Sequence, residues 1–303
     1  MKRRGSLSAR GNFLPRRDWF VKGHGLGNVY LIVDPRALSF RLSGRAIRAI
    51  CDRHTGVGSD GILALVPSRR ADFGVRIYNP DGSEAEKSGN GLRILSRFLH
   101  DYHYTRRRGF TVETRGGIVR ATLAVARGGV RAITVDVGRA TFHSTAIPMA
   151  GPPREVIDEP LALDGEVLRV TAVSLGNPHC VVFASRLDVA TLRRLGPRLE
   201  THRAFPRRTN VQFARVAGPG AVEILIWERG AGETQASGTS ACAAAAAAVR
   251  LGRTGREVTV AMPGGHLDVV IDDAWNVRLT GPAELVCTGV FSGGLLRTLR
   301  GVR

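Results

Sequence analysis

Cysteine is scarce in this chain, with four in 303 residues (Cys51, Cys180, Cys242 and Cys287) and no CxxC pair. That argues against a disulfide framework and leaves no metal cluster of the usual thiol or histidine spacing, so reduced thiols and a cytoplasmic location are expected. Long apolar runs are missing too. Nothing approaches the roughly 18 consecutive apolar residues of a membrane helix, and no membrane partner is expected. Lysine occurs only at Lys2, Lys22 and Lys87, so the net charge of +18 is an arginine charge, the usual mark of a GC-rich genome. Aromatics reach only 6% and do not interleave with the basic clusters Arg106-Arg107-Arg108, Arg203 to Arg208 and Arg297 to Arg303. These clusters read as solvated surface, and no nucleic-acid partner is expected.

Met1 to Phe20 carries six basic residues against Asp18 alone and lacks an apolar signal core. Residues 1–18 therefore read as a disordered basic extension. The remaining length, 43% hydrophobic overall, suits two ordinary domains.

What the chain does have is an alanine-rich stretch from Ala241 to Ala248, interrupted only by Cys242. It is the strongest helix former present and has little side-chain bulk, which suits a crowded interior. Ser237-Gly238-Thr239-Ser240 precedes it, small residues that leave the first helical N–H groups open to an anion. Tyr78 to Leu99 repeats the design: an acidic glycine-rich turn, then Ser88-Gly89-Asn90-Gly91, then an amphipathic helix with Leu92, Leu95, Phe98 and Leu99 on one face. The two serines are 237 − 88 = 149 residues apart. That same offset carries Leu26-Gly27-Asn28 onto Leu175-Gly176-Asn177, Tyr78 onto Trp227, Glu84 onto Glu233, and Gly89 onto Gly238. One spacing shared by five features implies two copies of one unit of roughly 150 residues, with both helix starts available to one cleft.

Strands are expected at Val29–Val33, Ile62–Val66, Phe73–Tyr78, Gly117–Val125 and Val130–Val137 in the first unit. The second unit has matching runs from Val167 to Val290. The proline-rich stretch 138–166 holds the crossing, giving domains at 19–145 and 146–295 and a loose basic tail at 296–303. The loop Arg53 to Gly61 has glycines but no Lys-Ser/Thr ending, so it is not a P-loop. Glu228 and Arg229 end a strand side by side, a pair able to hold the ammonium and carboxylate of an amino acid.

KGHGLGNVYLIVD from Lys22, RHTGVGSDG from Arg53, YNPDGSEAEKSGNG from Tyr78, GNPHC from Gly176 and WERGAGETQASGT from Trp227 together resemble the diaminopimelate epimerase family. The resemblance covers about residues 20 to 290. It implies an α+β fold of two tandem, pseudo-symmetric domains, each a mainly antiparallel sheet wrapped around a central helix. It further implies a cofactor-independent isomerase of lysine biosynthesis acting on a small amino acid, with no metal; a homodimer is compatible with it. Acid–base chemistry falls to the positions of Ser88 and Ser237, with His179 and Glu228 beside them. Substrate contacts fall to Asn28, Asn79, Gly89, Asn90, Asn177, Asn210, Glu228, Arg229, Gly238 and Thr239.

The family carries cysteine where this chain has Ser88 and Ser237. A thiol titrates near 8.5 and is pushed to thiolate at a helix start. A serine hydroxyl, bounded by water near 15.7, lies about 7 units or roughly 10 kcal/mol higher, and a helix dipole supplies at most about 2 kcal/mol. Cys180 and Cys242 point elsewhere and read as core thiols. Four readings stay open: an epimerase, a related isomerase or dehydratase, a ligand-binding paralogue without turnover, and a nucleic-acid-associated protein, which the amino-acid-binding groups disfavour.

Overall fold

The computed structural model describes residues 17–301, so the basic extension expected at 1–18 lies almost wholly outside the described residues. Its last member does not behave as a tail. Asp18 is buried, and its carboxylate accepts from the Ser39 backbone N–H at 2.5 Å and hydroxyl at 2.8 Å.

In the first half the chain runs through β1 (Trp19–Gly25), β2 (Asn28–Val33), α1 (Gly44–Cys51), β3 (Ile62–Val66), β4 (Phe73–Tyr78) and the short β5 (Glu84–Ala85). It then enters α2 (Gly89–Asp101) and continues through β6 (Gly109–Thr114), β7 (Gly117–Ala126) and β8 (Gly129–Arg139). The second half begins with β9 (Glu159–Leu163), β10 (Glu166–Ser174), β11 (Pro178–Phe183), α3 (Val189–Glu200), β12 (Asn210–Gly218), β13 (Ala221–Glu228) and the short β14 (Gly232–Thr234). It ends with α4 (Gly238–Arg250), β15 (Glu257–Met262), β16 (Gly265–Ile271), β17 (Asn276–Gly281), β18 (Glu284–Val290) and α5 (Gly293–Arg300).

The strands form one continuous, mostly antiparallel sheet that curls around two helices. From one edge the first half reads β18, β1, β2, β3, β4, β6, β7, β8. β8 pairs antiparallel with β17, and the second half follows as β16, β15, β13, β12, β11, β10, β9. Parallel pairing occurs at β2/β3 and β4/β6, and again at β11/β12 and β13/β15, so the duplication seen in the sequence is a duplication of topology. No helix among the described residues is long and apolar enough to cross a membrane.

Each half is built around one helix. From Ala241 to Ala248 every side chain of α4 is fully buried, and small side chains let strands crowd it from several sides. α2 differs from the one-faced helix expected: Gly89 to Ser96 is buried all round, because the sheet wraps it instead of lying under one face.

Two further differences concern the C-terminus. β18 hydrogen-bonds to β1 and so joins the first sheet, although the spacing had assigned residues 284–295 to the second unit. The tail expected to be loose after Leu296 is helical to Arg300. Leu295, Leu296 and buried Leu299 pack on a cluster with Phe20, Ile47, Ile50 and Phe291, leaving the arginines outside.

Candidate active site

The two helix starts meet. Ser88 caps α2 at φ −143°, ψ 116°, and Ser237 occupies the same place before α4 at φ −143°, ψ 120°. Glycine follows each because the ends abut: a Cβ on Gly238 would lie 3.3 Å from Gly89 Cα and 2.9 Å from Leu279 Cδ2. The positive ends of two helix dipoles thus face one cavity of about 750 Å³, lined from both halves.

The two serines are bonded differently. Ser88 Oγ accepts from Gly91 N–H at 3.0 Å and from the Tyr30 hydroxyl at 3.2 Å. Ser237 makes no capping bond with its side chain and is buried. The 149-residue offset places His179 opposite Tyr30 (179 − 30 = 149); Tyr30 lines the cavity, whereas fully buried His179 is not among its lining residues. His179 Nε2 lies 3.1 Å from Asn177 Oδ1, and the Gln212 side chain also bonds the imidazole. Burial lowers the imidazole from 6.5 to about 3, so it is neutral. Burial acts the opposite way on Tyr30, raising its phenol to about 12.

The expected substrate-binding side chains converge here, and most are already oriented by protein. Asn28 donates to Asp60 Oδ2 at 3.2 Å and accepts from Asn90 Nδ2 at 3.1 Å. In the other half Asn177 donates to Thr239 Oγ1 at 3.5 Å, the same pairing carried over by the offset (177 − 28 = 149 and 239 − 90 = 149). Asn79 lines the cavity and donates to Ser83 Oγ at 3.0 Å. Asn210 is buried, donating to Pro178 O at 2.9 Å and accepting from Arg229 N–H at 3.0 Å. Glu228 and Arg229 both line the cavity but form no ion pair with each other among the described residues. Glu228 Oε1 accepts from the Thr234 hydroxyl at 2.9 Å, and burial holds its carboxyl above the usual carboxylate range. The exposed Arg229 guanidinium reaches, among the described residues, the Arg207 carbonyl at 3.4 Å, which leaves donors for a ligand carboxylate.

Several supporting residues were not singled out from the sequence. Asp60 anchors Asn28 and takes a 2.5 Å bond from Arg53. Fully buried Arg93 donates to Asn90 Oδ1 at 2.8 Å and to Pro282 O at 3.2 Å, fixing which way the Asn90 amide points; burial lowers its guanidinium to about 10, still charged at neutral pH. Glu200 at the end of α3 accepts from Trp227 Nε1 at 2.8 Å and Gly230 N–H at 2.9 Å, steadying the turn after Arg229. Tyr30 carried a signal, since the offset that paired the serines also pairs it with His179. Cys180 and Cys242 are fully buried, and burial pushes both thiols up to about 12, as befits core residues. Among the described residues no group of His, Cys, Asp and Glu is arranged to hold a metal.

The sequence model for diaminopimelate epimerase matches residues 20–143 and 171–286. The chain is 46% identical over 275 residues to diaminopimelate epimerase of Pelotomaculum thermopropionicum, covering 90% of this chain and 98% of that one. It is 44% identical to diaminopimelate epimerase 2 of Nostoc sp., over 90% of this chain and 95% of the relative. Among solved structures, a hydroxyproline epimerase from Agrobacterium vitis superposes with a TM-score of 0.70 at 17% identity, covering 89% of this chain and 91% of that one. A phenazine biosynthesis protein from Bacillus anthracis superposes at 0.66 and 17%, over 90% and 98%. These structural neighbours share the fold, and the sequence relatives, together with the duplicated helix-capped cleft, make this chain a member of the diaminopimelate epimerase family.

Proposed function

We propose that this chain is an amino-acid epimerase that converts LL- to meso-2,6-diaminopimelate using side chains alone, with Ser88 and Ser237 on opposite faces of the reacting α-carbon. The observation that carries this reading is the abutting pair of helix starts, which hold two hydroxyl groups in one backbone conformation across one cleft. Inverting a carbon requires a proton to leave one face and another to arrive at the opposite face. First-turn N–H groups of both helices face the cavity, where they stabilise the substrate carboxylate as its α-carbon becomes carbanion-like. Arg229 takes a carboxylate and Glu228 an ammonium, while the Asn28–Asn90 and Asn177–Thr239 pairs hold the rest of the substrate.

Hydroxyl chemistry makes turnover slow compared with a thiol pair, by the roughly 10 kcal/mol separation in intrinsic proton affinity less what the site recovers. The same separation favours a second reading, amino-acid binding without turnover. Incubating the protein with LL-diaminopimelate and resolving stereoisomers by chiral chromatography separates them. Formation of the meso isomer, accelerated when Ser88→Cys and Ser237→Cys are combined, supports epimerisation. Ligand-induced thermal stabilisation without meso product, in native protein and double variant alike, rejects it.

A further inference from the structure

Resting on the epimerase reading, we propose that Tyr30 is the proton-supplying partner of Ser88, so that the working acid on this face is a serine–tyrosine pair and not a lone serine. The geometry begins with what Ser88 Oγ can do. A hydroxyl oxygen accepts at two positions and donates one hydrogen. Both acceptor positions are filled, by Gly91 N–H at 3.0 Å and by the Tyr30 hydroxyl at 3.2 Å. Ser88's own hydrogen has no acceptor among the described residues, and the cavity it lines is the space left for it.

Tyr30 is held for this task. It is 6% exposed on β2, and its ring lies against Gly61, where a Cβ would come within 2.6 Å of Tyr30 Cε1. Two carboxyl groups face it from other elements: Glu228 at the end of β13 and Asp60 before β3. With burial they keep the phenol protonated at neutral pH, which is the form an acid needs at rest. Its acidity is nevertheless greater than that of an aliphatic hydroxyl, bounded near 15.7. Charge left behind by proton donation therefore settles on the phenol oxygen.

The step balances. As the carbanion is quenched, its electron pair forms a C–H bond with the Ser88 hydrogen and the Ser88 O–H bond breaks. The Tyr30 hydrogen bonds to Ser88 Oγ, and Tyr30 becomes phenolate; in the reverse direction each proton retraces its path. No oxidant or reductant enters. The matching position in the other half is a neutral histidine. The two halves of the duplicated fold thus carry different groups at this position. Tyr30 acts through Ser88 and is a positioning residue.

The test compares deuterium uptake from D2O at the α-carbon of LL-diaminopimelate for the native protein, Tyr30→Phe, Ser88→Cys and the double variant, with thermal melts to verify folding. In the native background Tyr30→Phe is expected to lower kcat at least tenfold while KM stays within twofold. In the Ser88→Cys background the same change is expected to alter kcat less than twofold, because a thiol bears the charge itself. No effect of Tyr30→Phe on the native protein, or equal losses in both backgrounds, overturns the proposal. Absence of exchange in the native protein removes the epimerase reading and this inference together, a result distinct from exchange that ignores Tyr30.

Discussion

Ser88 and Ser237 share a backbone conformation but not a role in stability. Ser88 Oγ caps its helix, whereas Ser237 makes no such bond. Ser88→Ala is accordingly expected to cost about 1–2 kcal/mol, a lost cap plus an unpaired Tyr30 hydroxyl, and Ser237→Ala under about 0.5 kcal/mol, both read by urea denaturation. Equal losses would mean the two caps are equivalent. His179 gives a pH dependence. Its folded-state value is depressed from 6.5 to about 3, so the folded protein holds this proton more weakly than the unfolded chain. Its contribution is present above pH 6.5 and is lost as pH falls toward 3, with a slope of at most about 1.4 kcal/mol per pH unit. Replacing it by His179→Asn should flatten stability against pH in that window by this amount. At this scale the residues that touch the cleft were legible, because glycine-rich turns and a repeated spacing mark them. Asp60, Arg93 and Glu200 were not, because their function lies in whom they bond to across the sheet, which no local pattern records.

The elements closest to the chemistry are also the tightest. Gly238→Ala places a methyl 2.9 Å from Leu279 Cδ2 and 3.3 Å from Gly89 Cα, forcing α4 and α2 apart. The expected cost is about 1–3 kcal/mol, with substrate affinity falling alongside; calorimetric melting and ligand titration measure the two. An unchanged melt and affinity would show that the helix starts need not abut. α4 was legible from its alanines, and the strands from their alternation. α3 escaped detection because Gly196 and Pro197 look like breakers, yet a Cβ on Gly196 would lie 2.8 Å from the Trp227 ring, so the glycine serves packing. α5 was hidden by Arg297 and Arg300, which sit beside the apolar face that anchors it.

The molecule as a whole is one continuous sheet with edges at β18 and β9; β8 joins β17 across the halves, and the C-terminal strand β18 closes back onto β1. This closure makes the C-terminal helix part of the first half's core, and Leu299→Ala is expected to lower stability by about 2 kcal/mol without altering substrate affinity. A loss under about 0.5 kcal/mol would mean α5 is ornamental. The duplication was visible as an offset in the sequence. The closure was not, since pairing between residues near Trp19 and Val290 leaves no trace in local composition. On the proposed reading, the duplication lets the two faces of one carbon be served by two different groups. The direct test is to run LL-diaminopimelate with the native protein in D2O, stop early, and determine deuterium separately in product and in unconsumed substrate by NMR. Two opposed groups predict a meso product carrying solvent deuterium at the inverted carbon while remaining substrate stays protonated there; product that retains its original hydrogen would contradict a two-sided site.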